Sequence, residues 1–431
     1  MVEEEEAMAR LCVIVAALSL NSCNACGCSG EKTDVFDLDA HELVELAEQD
    51  EAEADVADVE AADFFDDVPV DVSPELEDCY IPVMDCGEGC IQLTCMASVL
   101  SVFDVDPGGK KLVYIGLRRG ESPAYALYFK DIERWEEIKI KEIPYFESLW
   151  DATFHYPYAC YVWAIRDEYN PRVYIDCTDV ETYESVTVAE NNDNGIPMYP
   201  DLYANTVVWG GNQVEPPPAF SYDIYSFNIE TMEKTRLTFD RTGNYRPRIW
   251  GNYVVYERDY GGEESGGVNL IDILTGEGRN LTNHPADQFR ADIWENRVVW
   301  TDCRNSSSSG LCYLQNERNS DIYWCDLPDC VAQEATNNPA AQERPTVEGD
   351  IIAWYDFRND VLPNGVGYSY HDNIEIWGKN LRTGEEKQLA GYNRVLAPHI
   401  KLAGGKLFFV MDSDTSLSPY SGAVFMKDLP F

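Results

Sequence analysis

A short pattern recurs through most of the chain and restricts its fold more than any other feature: an apolar triplet that ends in an aromatic residue. The copies are Leu112-Val113-Tyr114, Tyr161-Val162-Trp163, Val207-Val208-Trp209, Val254-Val255-Tyr256, Val298-Val299-Trp300, Ile352-Ala353-Trp354 and Leu407-Phe408-Phe409. Successive copies end 49, 46, 47, 44, 54 and 55 residues apart, close to the length of one four-stranded propeller blade. With 45% hydrophobic residues, 10 Trp and 26 Tyr in 431 residues, the chain has the apolar mass for a large core and the aromatic stock that favours strands. The pattern predicts an all-β fold, a seven-bladed β-propeller of four-stranded blades over residues 79–431.

Each repeat divides into strands A to D. Four residues before the aromatic of five copies stands Asn205, Asn252, Asn296, Asp350 or Gly405, usually after Gly or Ala; such pairs suit the positive φ of a tight A–B hairpin. Strand C begins at Asp223-Ile224-Tyr225, Asn269-Leu270-Ile271, Asp321-Ile322-Tyr323 and Asn373-Ile374-Glu375, and a short strand D follows, as in Arg236-Leu237-Thr238 or Gln388-Leu389-Ala390. The last repeat stops after its strand C, Ala423-Val424-Phe425-Met426, which leaves an open edge. Ile91-Gln92-Leu93-Thr94 precedes the first triplet, reads like an outer strand, and is expected to pair with 423–429 and close the ring.

This organisation resembles TolB-like propellers and related β-propeller repeats of prokaryotic surface proteins. The likeness is plainest at Val105-Asp106-Pro107-Gly108-Gly109-Lys110-Lys111-Leu112-Val113-Tyr114 and at Val299-Trp300-Thr301-Asp302-Cys303-Arg304-Asn305 followed by Asp321-Ile322-Tyr323. It covers residues 90–431 and implies a fold far more than an activity.

The apolar run from Leu11 to Leu20 is too short to span a bilayer and fits the core of a signal peptide over residues 1–22. Glu3 to Glu6 do not supply the usual positive flank, whereas Met8-Ala9-Arg10 does if translation begins at Met8. Leu20-Asn21-Ser22-Cys23 resembles the bacterial lipobox, which implies lipidation of Cys23 and, with Asn24 rather than Asp next, outer-membrane sorting. Residues 31–78 hold 20 Asp or Glu and a single basic residue, Lys32. Such a segment repels itself and lacks bulk for a core, so 23–78 reads as an acidic disordered tether. The expected molecule is an exported lipoprotein of the outer membrane or cell surface, with the periplasm as the other possible compartment. It touches the membrane through its lipid anchor only and is a monomer.

Setting aside Cys12 and Cys23 leaves twelve of 14 cysteines, an even number that favours disulfides in an exported chain. The strand map pairs Cys160 with Cys177, Cys303 with Cys312 and Cys325 with Cys330. Cys79, Cys86, Cys90 and Cys95 are expected to form two bridges of open connectivity; they lack the paired Cys-x2-Cys knuckles of a zinc site. Cys26 and Cys28 are left free or locally paired.

A formal charge of −45, from 77 acidic and 32 basic residues, excludes a nucleic-acid partner, whose phosphates need Lys and Arg. The B–C loops, near 210–222, 257–268, 301–320, 355–372 and 411–422, are much longer than the A–B turns, and long loops on a rigid scaffold are where binding concentrates. At the start of strand A on that same face, ten residues before the aromatic, stand Arg246, Arg290 and Arg344, with Tyr199 and His399 at the equivalent points of flanking blades. They are expected to form a partial ring at the channel mouth. Two roles are open to it: each guanidinium bonds an Asp or carbonyl of a neighbouring blade, with Asp302 and Asp356 at hand, or the ring binds a carboxylate such as a uronic acid or peptide group.

No Gly-x-Ser-x-Gly, His-Glu-x-x-His or phosphate-binding glycine loop is present. The resemblance includes oligogalacturonide lyases with histidine-rich metal sites, but only His41, His155, His284, His371 and His399 occur here, with no His-x3-His pair. Asp104 with Asp106, or Asp412 with Asp414, are pairs that could serve Ca²⁺ or a glycosidase. No cofactor is expected beyond that possible Ca²⁺. The sequence favours a non-catalytic tethered scaffold that binds a protein or glycan of the cell envelope at the long-loop face. The alternative is a carbohydrate-active enzyme with its site at the channel mouth.

Overall fold

In a computed structural model, the repeat resolves into seven four-stranded antiparallel sheets, two of which are joined by a single parallel bridge between Tyr222 and Gly243. The structure describes residues 89–94, 103–116, 126–142, 147–165, 172–191, 196–212, 222–239, 242–259, 266–306, 319–359, 374–391, 395–412 and 422–431. The expected signal peptide with Cys23, the expected tether and the central parts of the B–C loops lie outside the described residues. The blades are 103–142, 147–190, 197–236, 243–280, 288–334 and 342–391, and a seventh combines 395–428 with Cys90–Gln92. Their A strands touch in chain order and the last touches the first, so the sheets form a ring around a central channel.

The triplets explain why the sheets stack. In a strand, alternate residues face opposite sides, so the first and third members of a triplet face the preceding blade and the middle one faces the next. Val208 of blade 3 meets Val254 and Tyr256 of blade 4, and Val299 of blade 5 meets Ile352 and Trp354 of blade 6. Trp209, Trp300 and Trp354 are completely buried in these layers.

Turn chemistry repeats as faithfully. In the C–D turns Asp131, Asp179, Asn228, Asp272 and Asn380 each accept backbone N–H groups two and three residues on. This Asx arrangement caps the turn before strand D. The A–B hairpins carry positive φ at Ala204, Gly251, Glu295, Gly349 and Gly404. Glycine is required where the first and last blades meet: Gly109 (φ 65°) and Gly404 (φ 60°) pack so closely that a Cβ on either would overlap the backbone of the other's hairpin.

Closure follows the expected scheme. Cys90–Gln92 pairs antiparallel with Gly422–Asp428, Ile91 opposite Met426 and Gln92 opposite Phe425. Leu93 N–H then donates to Val424 O at 2.8 Å, and Val424 N–H to Thr94 Oγ1 at 3.0 Å. Cys160–Cys177 and Cys325–Cys330 are disulfides, with Cα atoms 4.0 and 4.7 Å apart. Cys303 and Cys90 are also disulfide-bonded. Cys312, the expected partner of Cys303, lies outside the described residues, as do Cys79, Cys86 and Cys95.

Candidate functional site

Counting back from the last residue of each A strand puts the channel lining in register. Two residues back lie Thr153, Asp201, Arg248, Asp292, Thr346 and Lys401, joined in blade 1 by Asp104, one residue before the end of its strand. This polar ring fastens neighbouring blades. Asp104 Oδ2 accepts Phe154 N–H at 2.8 Å and Thr153 Oγ1 at 3.0 Å. Asp201 Oδ2 accepts Ile249 N–H at 2.7 Å, and Asp292 Oδ2 accepts Val347 N–H at 3.2 Å. Leu402 N–H reaches Thr346 Oγ1 at 3.5 Å, and Lys401 Nζ is 3.3 Å from Asp104 Oδ1. Burial opposes the charge on Arg248, but Asp201 and Asp292 around it more than compensate and hold its pKa above the ordinary value. Burial pushes the Asp201 carboxyl up to about 6.

Four residues back from the same hairpins lie Asp151, Tyr199, Arg246, Arg290, Arg344 and His399. In blades 3 to 6 this position falls in a register shift of strand A. Its residues have φ of 55°, 45°, 54° and 55° at Tyr199, Arg246, Arg290 and Arg344. A bulge of this kind turns a side chain out of the regular alternation. Arg246, Arg290, Arg344, His399 and Asp151 line one cavity of about 120 Å³ whose floor is the polar ring. Tyr199 stands behind Arg246, whose guanidinium carbon lies 4.9 Å from its ring centroid. The structure thus brings the three arginines and His399 together as the repeat register predicted, with Tyr199 as a supporting ring.

Asp302 and Asp356 are taken by their own loops: Arg304 grips Asp302 through two bonds at 2.9 and 2.7 Å, and Arg358 grips Asp356 at 2.8 and 2.6 Å. Trp300 and Trp354 Nε1 also donate to these carboxylates. Arg246 Nη1 is 3.0 Å from Glu257 Oε2 within its own blade. Two backbone groups cross between blades: Arg290 N–H donates to Glu257 Oε1 of blade 4 at 2.8 Å, and Arg344 N–H to Thr301 Oγ1 of blade 5 at 3.1 Å.

Besides the polar ring, Asp151 and Tyr355 of this cavity escaped the sequence reading. Asp151 occupies in blade 2 the position of the arginines, and burial pushes its carboxyl up to about 7 despite the nearby Arg248. Tyr355, next to Trp354, lines the same cavity with its hydroxyl buried and without a hydrogen-bond partner among the described residues. His399 is pushed down to about 3, first by burial and then by Arg248 and Arg344, so its imidazole is neutral at ordinary pH. At the opposite end of the channel the last A-strand residues His155, Tyr203, Trp250 and Trp294 form an aromatic arc, with successive centroids 5.1, 4.9 and 4.0 Å apart.

Of the paired acids, Asp104 serves the polar ring, while Asp106 accepts N–H groups of Gly108, Lys110 and Lys111 in the first hairpin. Among the described residues, no three or more His, Cys, Asp or Glu side chains gather in a group that could hold a metal ion. Asp414 lies outside the described residues.

No family model matches the sequence, and no curated protein matches it. Solved structures do. An oligogalacturonate lyase in complex with manganese is 14% identical, with a TM-score of 0.52 over 79% of this chain and 93% of that one. The β-propeller domain of the Trilobed protease from Pyrococcus furiosus is 11% identical, with a TM-score of 0.53 over 76% and 92%. That domain is described as having an open velcro topology, whereas here Cys90–Gln92 completes the last blade. TolB from Acinetobacter baumannii matches at 13% identity and a TM-score of 0.42, over 67% of this chain and 65% of that one. At these identities the likeness concerns fold alone: the chain is a β-propeller, and its activity has to be argued from its own channel.

Proposed function

We propose that this chain is an exported, lipid-tethered binding module whose propeller offers the arginine-bearing mouth of its channel to a carboxylate on a glycan or protein of the cell envelope. The observation that carries this reading is the repetition of arginine at one bulged position in three successive blades, all facing one cavity. A non-glycine residue in the left-handed region costs on the order of 1–3 kcal/mol. Glycine would avoid that cost, so the side chain itself must serve a purpose. The seams between blades are bridged by carboxylates and hydroxyls that accept backbone N–H groups. In a chain of charge −45, a local cluster of guanidiniums is a selective place for an anion.

One observation favours a second reading, a carbohydrate-active enzyme. Asp151, at about 7, is in the range that suits a general acid or base. Titration of galacturonate oligomers and carboxylate-terminated peptides against wild type and Arg290→Ala separates the two readings. Saturable binding that Arg290→Ala weakens about tenfold, with no bond cleavage, fits the binding module. Turnover abolished by Asp151→Asn would establish the enzyme instead, and binding indifferent to Arg290 would refute both.

A further inference from the structure

Above its mixed floor of Asp104, Asp201, Arg248, Asp292 and Lys401, the cavity is polarised across the ring. Blades 5 and 6, with Arg290 and Arg344, stand opposite blade 2, because the A strands follow one another in chain order around a sevenfold ring. One side of the cavity therefore presents hydrogen-bond donors with positive charge, Arg290, Arg344 and the Tyr355 hydroxyl. The other presents the Asp151 carboxyl. Arg246, 3.0 Å from Glu257, stands in blade 4 between the two sides.

We propose, building on the carboxylate-binding reading above, that this cavity takes a small zwitterion of the α-amino acid class. Its carboxylate lies toward Arg290, Arg344 and Tyr355, and its ammonium lies toward Asp151. Three observations converge on it. The first is size: a cavity of about 150 Å³ accommodates benzene, so about 120 Å³ holds a molecule the size of glycine or alanine whole, and of a longer chain only its carboxylate-bearing end. The second is Tyr355, whose buried hydroxyl has no partner among the described residues; leaving such a group unsatisfied costs about 1–3 kcal/mol, and a ligand oxygen would supply the missing acceptor. The third is Asp151. Its nearest cationic influence is Arg248 in the floor, burial disfavours its charge, and an ammonium brought beside it would hold it ionised.

The test is calorimetric titration of the full chain at pH 7, below the pKa of the ligand amine so that it is an ammonium, with glycine, L-alanine, D-alanine, N-acetylglycine and glycinamide as probes. The proposal expects glycine or alanine to bind at least about tenfold more tightly than N-acetylglycine and glycinamide, each of which lacks one charge. Asp151→Asn should reduce that preference over N-acetylglycine to within about twofold while leaving N-acetylglycine binding unchanged. Tyr355→Phe removes a hydroxyl that bonds no other described residue, so it should keep or raise the melting temperature while weakening glycine about fivefold. Equal binding of glycine and N-acetylglycine, or a preference untouched by Asp151→Asn, overturns the zwitterion and leaves the carboxylate reading standing. Failure of every carboxylate-bearing probe, including galacturonate oligomers, overturns both.

Discussion

Lys401 Nζ lies 3.3 Å from Asp104 Oδ1 and so ties the last blade to the first. Asp104 does more than its partner, because its other oxygen accepts Phe154 N–H and Thr153 Oγ1 of blade 2. Asp104→Asn should therefore cost about 2–3 kcal/mol, from weakened charge-assisted bonds to buried donors. Lys401→Met should cost about 1–2 kcal/mol, since the lysine side chain is 34% exposed and its pair is only partly desolvated. Urea denaturation midpoints compare the two. A larger loss from Lys401→Met would show that the ion pair, and not the bonds to blade 2, carries this seam.

The left-handed backbone at Arg344 (φ 55°) gives a second prediction. Arg344→Gly should be more stable than Arg344→Ala by about 1 kcal/mol, because glycine adopts this φ freely. Both variants should lose carboxylate binding alike. Thermal melts alongside titration measure the separation between backbone strain and side-chain role, and equal melting of the two variants would remove the strain argument.

Asp151 predicts a pH effect whose sign is opposite to that of a salt-bridged acid. Its carboxyl titrates near 7 in the fold and near 3.9 when unfolded, so between these values the folded state holds the extra proton and stability falls as pH rises. Asp201, at about 6, acts in the same direction. His399, pushed down to about 3, acts the other way below pH 6.5, since it is neutral in the fold and protonated when unfolded. The clean measurement is the difference between wild type and Asp151→Asn, with Asp104, Asp201, Asp292, Arg248, Lys401 and the mouth arginines common to both. The variant should gain on wild type from pH 5 to pH 8 by on the order of 2 kcal/mol. A gap that stays constant with pH would mean Asp151 is ionised throughout.

The closing strand gives a fourth. Leu93 is fully buried against Phe103, Leu112 and Val424, so Leu93→Ala should cost about 2–4 kcal/mol. Replacing Cys160 and Cys177 by Ser, which opens a loop of 17 residues, should cost about 2–3 kcal/mol. These sites are in different blades, and additive losses in chemical denaturation are expected.

The repeat was legible because packing between blades demands apolar side chains on both faces of strand B. The closing strand was legible because blade 7 lacked an outer partner. Blade 2 shows where such reading stops. Its triplet Tyr161-Val162-Trp163 lies two residues farther from the A–B hairpin than in the other blades with a two-residue turn, so counting ten back reaches Thr153 instead of Asp151. A slip of two leaves every side chain on the same face, and Ala159 and Tyr161 pack on blade 1 just as a correctly placed triplet would. The Tyr156-Pro157 turn carries no Asn or Gly to mark the true register. The polar ring was missed for a different reason: Asp104, Asp201 and Asp292 looked like ordinary members of an acidic chain, and only the ring geometry shows that their partners are in the next blade. The partnerless Tyr355 hydroxyl has no counterpart in sequence at all.

The bond from Val424 N–H to Thr94 Oγ1 joins positions 330 residues apart. At a synthesis rate of about 5–20 residues per second, the closing strand waits roughly 15–70 s for its partner to be made. During that interval Ile91 to Thr94 is a short pairing segment with no sheet to join, and every growing ring has a bare seam. A second chain nearby could fill the seam with its own copy of the segment, so the order of synthesis makes crowding of nascent chains, more than the strength of any blade, the hazard for correct assembly.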